Sequence, residues 1–302
     1  MPFRVLIFCF LAGLSVMAAD SFTVATYNVE NYFLKPYATR KGKTLASREK
    51  VAETIALIRP DVLALQEMGR KVALDDLRNR LSQKNLNYTH HLWLQGPDPA
   101  IHLALLSRFP VVGDHSKSNV TYLLDRKRFQ VSRGFIEVEV QVNPGYRFTL
   151  FNAHLKSMRP IPIADQAEMR LEEARVLRRS VEKRLKVNPG ENILLVGDLN
   201  DSPAKDPIKA LIGQRIPKLM DLRPFELNGA LDPHQVNPRT FSRRVTWTHF
   251  YAKEDQYSRF DYILASRGMY KEYVASFVQA QADWGVASDH RVVVAKFTAR
   301  DR

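Results

Sequence analysis

Thiols are almost missing from this chain: its 302 residues contain one cysteine, Cys9. One cysteine excludes an internal disulfide, and because Cys9 falls in an N-terminal apolar segment that reads as a cleaved signal, the mature chain is expected to have no thiolate for a metal and to draw its stability from a hydrophobic core. Nowhere does an apolar run reach the roughly 20 residues that a helix needs to cross a bilayer. Internal repeats and low-complexity stretches are absent too, which argues against solenoids and long linkers. Negative charge is the scarcer sign, with 32 Asp and Glu against 45 Lys and Arg and a formal net charge of +13. Such a field attracts polyanions, whether nucleic acid, acidic lipid headgroups or acidic polymers.

What the chain does have is 45% hydrophobic residues, enough for one large layered core. Met1–Ala19 carries one early Arg4, an apolar run from Val5 to Met17 and small Ala18-Ala19 before Asp20. This pattern is that of a secretory signal, with a single domain over residues 20–302 and a secreted or periplasmic destination. Cys9 lacks the small residues expected before a lipid-attachment cysteine and is not read as an anchor. The reading is of a monomer with no protein partner and no stable membrane insertion.

Strand and helix signals alternate along the chain. Phe22–Thr26, Val62–Leu65, Ile101–Leu106, Phe135–Val142, Tyr146–Phe151, Ile193–Val196, Tyr262–Ala265 and Val292–Phe297 read as strands. Asn143-Pro144-Gly145 supplies a turn between two of them. Helices are expected from a Ser47 cap to about Arg59, where Pro60 stops it, over Leu74–Leu86, and over Asp165–Leu185. The charges of that last helix, including Arg178-Arg179, read as a solvated face. From Asp201 to about Trp247 the reading is loop, as it is for His90-His91, and Arg243-Arg244 is a further basic pair.

Polar residues stand in order at the ends of the apolar runs: Asn28, Glu67, His154, Asp198 with Asn200, Asp261 and Ser288-Asp289-His290. A strand that ends in a carboxylate, amide or imidazole places that group at the rim of a packed sheet. There, burial shifts its pKa and a metal can be held. Taken singly, an Asp-His pair is more often a surface cap and a Gly-Asp after a strand a turn.

Taken in order, Tyr27-Asn28-Val29-Glu30-Asn31, Leu65-Gln66-Glu67, Asn152-Ala153-His154-Leu155-Lys156-Ser157, Gly197-Asp198-Leu199-Asn200-Asp201, Phe260-Asp261-Tyr262-Ile263-Leu264 and Ser288-Asp289-His290 resemble the motifs of the endonuclease/exonuclease/phosphatase superfamily. The resemblance runs over about residues 22–297. It implies a four-layer α/β/β/α sandwich with two packed mixed sheets, outer helices and a site between the sheet edges. It also implies metal-dependent phosphoric ester hydrolysis. In that resemblance Glu67, Asn28, Asp289 and Glu30 are on the metal side. Hard oxygen donors of this kind suit Mg²⁺ or Mn²⁺, with Ca²⁺ also open.

The resemblance further implies that His290 contacts phosphate or activates water, with Asp261 orienting its ring. Asp198 positions the nucleophile or assists the leaving group, and Asn200 donates to phosphate. His154 is the second active-site histidine; the stretch matching the glutamate that supports it in pancreatic-type deoxyribonucleases, Ile101-His102, offers no carboxylate. Trp284 is placed to flank the site. Nucleic acid, DNA foremost with RNA also open, is the expected substrate of a low-specificity nuclease. A sphingomyelinase-like lipid activity, a small-molecule phosphatase and a non-catalytic binding module are the alternatives. No apolar hairpin for membrane contact stands out in the sequence.

Overall fold

Runs such as Ile193-Leu194-Leu195-Val196 have no polar face, so each strand must be covered on both sides. The computed structural model describes residues 21–214, 216–226, 246–279 and 281–300 and shows how this is done. Met1–Ala19 and Arg243-Arg244 lie outside the described residues.

The first half of the chain builds β1 (Ser21–Tyr32), α1 (Leu45–Ile58), β2 (Val62–Met68), α2 (Lys71–Gln83), β3 (His90–Leu94), β4 (His102–Ser107) and β5 (Val111–Asp114). A small hairpin of β6 (Thr121–Leu124) and β7 (Lys127–Gln130) precedes β8 (Phe135–Asn143), β9 (Tyr146–His154) and α3 (Gln166–Val187). There follow β10 (Ile193–Asp198), α4 (Asp206–Ile212), β11 (Met220–Asp221) and β12 (Phe225–Glu226). The chain closes with the hairpin β13 (His249–Tyr251) and β14 (Gln256–Ser258), then β15 (Asp261–Ala265), α5 (Arg267–Lys271), β16 (Tyr273–Val278), α6 (Trp284–Ala287) and β17 (Val293–Thr298).

A seven-stranded sheet runs β12-β16-β17-β1-β2-β4-β3 and a six-stranded one β11-β15-β10-β9-β8-β5, each mixing parallel and antiparallel neighbours. Phe22, Val24, Val62 and Leu105 of the first pack against Val138, Phe148, Leu194 and Val196 of the second. The alternate residues Tyr27, Leu63 and Leu65 bury against Val51 and Ile55 of α1 and Leu74 and Leu77 of α2. Phe151, Leu195 and Leu264 bury against Leu177 and Val181 of α3 and Ile208 of α4. The period of two along each strand thus makes the expected α/β/β/α layers.

Several local expectations need correction. Thr44 caps α1, accepting the Ser47 N–H at 3.1 Å, so the helix starts before Ser47. The second helix begins at Lys71. His90 and His91 lie in the edge strand β3, paired with β4; every residue of β3 is half-buried, which leaves no alternation to read. The presumed loop after Asp201 contains α4, β11 and β12. The face of α3 is not fully solvated either: Arg178 is buried and donates to the Leu211 and Ile212 carbonyls that end α4. Among the described residues no helix is long and apolar enough to cross a membrane.

Below the site, the two sheets are joined by buried polar groups. Gln66 Nε2 donates to Asn152 Oδ1 at 2.8 Å and to Thr26 Oγ1 at 3.0 Å; Asn152 Nδ2 donates to the Leu65 and Ala104 carbonyls. Asn152→Leu would remove one of the two acceptors of the buried Gln66 amide and the donor to the Leu65 and Ala104 carbonyls. The expected loss is about 2–4 kcal/mol, read as a lower urea midpoint with unchanged m, since each buried orphan costs roughly 1–3 kcal/mol. A loss under about 1 kcal/mol would show that the network contributes little.

Candidate active site

The functional side chains are aimed by irregularities at strand ends. Pairing of β1 with β2 slips between Asn28 and Tyr32, and that of β2 with β4 between Leu65 and Met68. Inside those bulges, Glu30, Asn31 and Glu67 have φ of 44°, 48° and 59°, a left-handed geometry that costs a non-glycine residue on the order of 1–3 kcal/mol. The Asn31 N–H donates to Glu67 Oε2 at 2.9 Å, so the strained turn serves to hold the carboxylate. On the other sheet, Gly197 has φ 135°, and a Cβ there would lie 1.9 Å from the Ala153 carbonyl oxygen. Only glycine lets β10 close against β9, which sets Asp198 beside His154 in register.

Asp198 is the centre of the cluster. Its Oδ2 accepts from Asn28 Nδ2 at 3.0 Å and Asn200 Nδ2 at 3.2 Å, and its Oδ1 accepts from the Asn200 N–H at 2.9 Å. His154 Nε2 lies 3.4 Å and His290 Nε2 3.7 Å from the same Oδ2. Burial, helped by Asp261 and opposed by His290, pushes the Asp198 carboxyl up to about 7. Asn200, expected to meet phosphate, directs its amide to Asp198 and to the Leu155 carbonyl.

The two imidazoles are driven apart. Burial lowers His154 well below the usual range, reinforced by Arg133, His290, Arg40 and Lys156. Burial acts in the same direction on His290, but Asp261, bonded to its Nδ1 at 2.8 Å, and Asp198 hold it well above the usual range. The result is a neutral and a cationic ring on either side of one carboxylate, the kind of separation that assigns proton donors and acceptors. Ser288 fixes the approach: its hydroxyl donates to the Asn28 carbonyl at 2.7 Å and accepts the His290 N–H at 3.0 Å. No carboxylate supports His154 Nδ1, which is buried without a partner among the described residues.

Glu67 faces this cluster from the first sheet, with Oε1 4.0 Å from His154 Nε2. Glu30 is raised by burial and by the charges of Asp289 and Glu67, against the lowering effect of Lys43, whose Nζ is 3.8 Å away. Asn28 Oδ1 accepts the Glu30 N–H at 3.0 Å and keeps a second lone pair. Glu30, repelled by Asp289 and Glu67, and the Asn28 amide oxygen are hard donors of the kind that suits Mg²⁺, Mn²⁺ or Ca²⁺, while the clusters whose ligand atoms lie within 4.8 Å of one another among the described residues are His249–Asp289–His290 and Asp198–Asp261–His290.

Sequence motifs did not point to several neighbours. His249 sits on β13 with its ring 4.6 Å from that of His290 and stacked on Phe260 at 5.1 Å; its Nε2 is 3.7 Å from Asp289 Oδ2. Thr248 Oγ1 accepts the N–H groups of Phe260 and Asp261. A three-residue strand after a weak stretch has no periodicity that could have revealed either. Trp284 packs edge-on against Trp247 at 4.9 Å, in an aromatic wall with Phe250 and Tyr257.

The model of the Endonuclease/Exonuclease/phosphatase family matches residues 25–290. No curated protein sequence matches the chain. Among solved structures, sphingomyelinase C from Streptomyces griseocarneus is similar at 18% identity and TM-score 0.61, over 92% of this chain and 99% of that one. The human nocturnin catalytic domain with bound sulfate anion gives 16% identity and TM-score 0.63, over 93% and 96%. Truncated Caenorhabditis elegans TDP2 gives 19% and 0.58, over 92% and 98%. At these identities the likeness is one of fold.

Proposed function

The chain belongs to the endonuclease/exonuclease/phosphatase family and is a metal-dependent phosphoric ester hydrolase, and from that premise we propose that it cleaves nucleic acid, DNA foremost, with little sequence preference. The observation that carries this reading is the positive field at the site. Half-buried Arg40 and buried Arg133 and Lys156 all act electrostatically on His154, and exposed Arg159 follows on the same loop. With the net charge of +13, this field suits a polyanion. The expected export segment supports action outside the cytoplasm.

A divalent cation held by Asn28, Glu67, Glu30 and Asp289, Mg²⁺ or Mn²⁺ by donor chemistry, would supply neutralisation of phosphoryl charge. The protein groups do the rest. Asp198, poised near neutral pH and gripped by Asn28 and Asn200, takes the proton of the attacking water. His290, cationic and oriented by Asp261, donates to a phosphoryl oxygen as the new P–O bond forms and the ester P–O bond breaks, the departing oxygen taking its proton from solvent. His154 stays neutral and hydrogen-bonds without adding charge.

A sphingomyelinase-like reading has its own support. The β13–β14 hairpin leaves Tyr251 and Tyr257 exposed beside the site, a feature that the sequence did not reveal, and a sphingomyelinase C shares the fold. Plasmid DNA, RNA, sphingomyelin vesicles and bis(p-nitrophenyl) phosphate, given to one preparation with Mg²⁺, Mn²⁺ or Ca²⁺, separate the two. If roughly three phosphates are neutralised, DNA affinity should fall on the order of 10- to 10²-fold between 50 and 200 mM salt. Lipid turnover far above DNA nicking, or DNA cleavage insensitive to salt at low substrate, would replace the nuclease reading.

A further inference from the structure

One histidine at the cleft, His249, is not used by the hydrolytic scheme, and it lies against two residues that are, Asp289 and His290. We propose that His249, Asp289 and His290 form a second cation site, selective for ions of the Zn²⁺ class, and that filling it switches the hydrolase off. His249 Nε2 lies 3.7 Å from Asp289 Oδ2, and His290 Nε2 lies 3.9 Å from Asp289 Oδ1. One ligand atom from each residue falls within 4.8 Å of the others. Tetrahedral Zn²⁺ with bonds of about 2.0–2.1 Å places adjacent ligand atoms about 3.3–3.4 Å apart. The two contacts to Asp289, made to different oxygens of its carboxylate, are each about half an ångström longer than that.

The surroundings suit such an ion. Asp261 already holds His290 through Nδ1, which leaves Nε2 facing the cleft, the carboxylate–histidine arrangement that orients metal-bound imidazoles. His249 is seated by its stack on Phe260. Asp198 Oδ2, 3.7 Å from His290 Nε2, adds negative charge without being required as a ligand. Two nitrogens with the Asp289 carboxylate differ in kind from the all-oxygen set at Glu67, to which Asp289 also belongs, so the two positions compete for that carboxylate and discriminate by donor softness, imidazole favouring Zn²⁺ and carboxylate with amide oxygen favouring Mg²⁺. Inhibition follows because the ion displaces the His290 Nε2 proton that the proposed mechanism donates. That consequence rests on the hydrolytic role assigned to His290; the binding itself does not.

The test uses the full chain loaded with Mg²⁺ and titrated with Co²⁺ as a spectroscopic probe. One equivalent should produce the visible absorption of low-coordinate, nitrogen-ligated Co²⁺, and Zn²⁺ should abolish it by displacement. His249→Phe keeps a ring on Phe260 but removes the nitrogen, and His249→Gln is the second variant; in whichever folds, the band should vanish. Half-inhibition of bis(p-nitrophenyl) phosphate hydrolysis should then need at least about 10-fold more Zn²⁺. No band in the wild-type protein, or a band and zinc sensitivity unchanged in a folded variant, overturns the site. Failure of DNA cleavage would instead count against the substrate reading, because the Co²⁺ spectrum requires no substrate.

Discussion

Glu67→Gln is expected to lower turnover roughly 10³-fold while leaving the protein folded. Charge neutralisation by a bound dication is worth several kcal/mol at the transition state, and each 1.36 kcal/mol is tenfold in rate. Glutamine keeps an oxygen that can accept the Asn31 N–H, and as a non-glycine residue it meets the same left-handed backbone as glutamate. It loses the negative charge that binds the cation and leaves Glu30 and Asp289 as the remaining carboxylates of the set. Stability by urea unfolding should therefore stay within about 1 kcal/mol of the parent, because the side chain is partly exposed at the rim and its hydrogen bond from the Asn31 N–H can be kept. The concentration of Mg²⁺ needed for half-maximal rate should rise in the same variant. Full activity in Glu67→Gln, or full activity of the parent in excess chelator, would remove Glu67 from the metal side.

Asp261 and His290 are expected to behave as one unit. Removing a positioned acid or base costs on the order of 10²- to 10⁴-fold, and residues acting together are not additive. Asp261→Asn is the informative change: Asp261 is fully buried, and asparagine preserves its volume and its acceptance of the His290 Nδ1–H. It deletes the charge that most favours the cationic ring. Burial then dominates, so the His290 pKa must fall, and its NMR titration should move to lower pH than in the parent. The cationic ring is lost once pH exceeds that pKa, so the alkaline limb of the rate profile should move the same way. His290→Ala and the double variant should be about equally slow. Strictly multiplicative losses, or an unmoved His290 titration, would show that the 2.8 Å contact does not serve the chemistry.

The order of layers was legible in the sequence because its cause is local. Leu63 and Leu65 face helices while Val62 and Ala64 face the other sheet, and a strand apolar at every position has no other stable home. His154, Asp198, Asp261 and His290 were legible for the same reason, since the first two close an apolar run, the last two precede one, and strand ends are where a sheet exposes polar groups. His249 was not, because nothing in Thr248-His249-Phe250 distinguishes it before β13 pairs with β14 and lies against His290. The buried side of α3 was misread on similar grounds: Arg178 looks solvated until the carbonyls that end α4 arrive beside it.

By itself the sequence determined which residues are polar at strand ends, the donor chemistry available to a metal and the sign of the field that a substrate meets. Only the tertiary structure decided their distances. Glu67 and His154 belong to different sheets, and their 4.0 Å separation depends on a bulge in β2 and the Gln66–Asn152 bridge. The opposite protonation of His154 and His290 was likewise undecidable from two histidines in a list of residues. It arises from burial common to both and from Asp261 reaching only one, which is a property of packing.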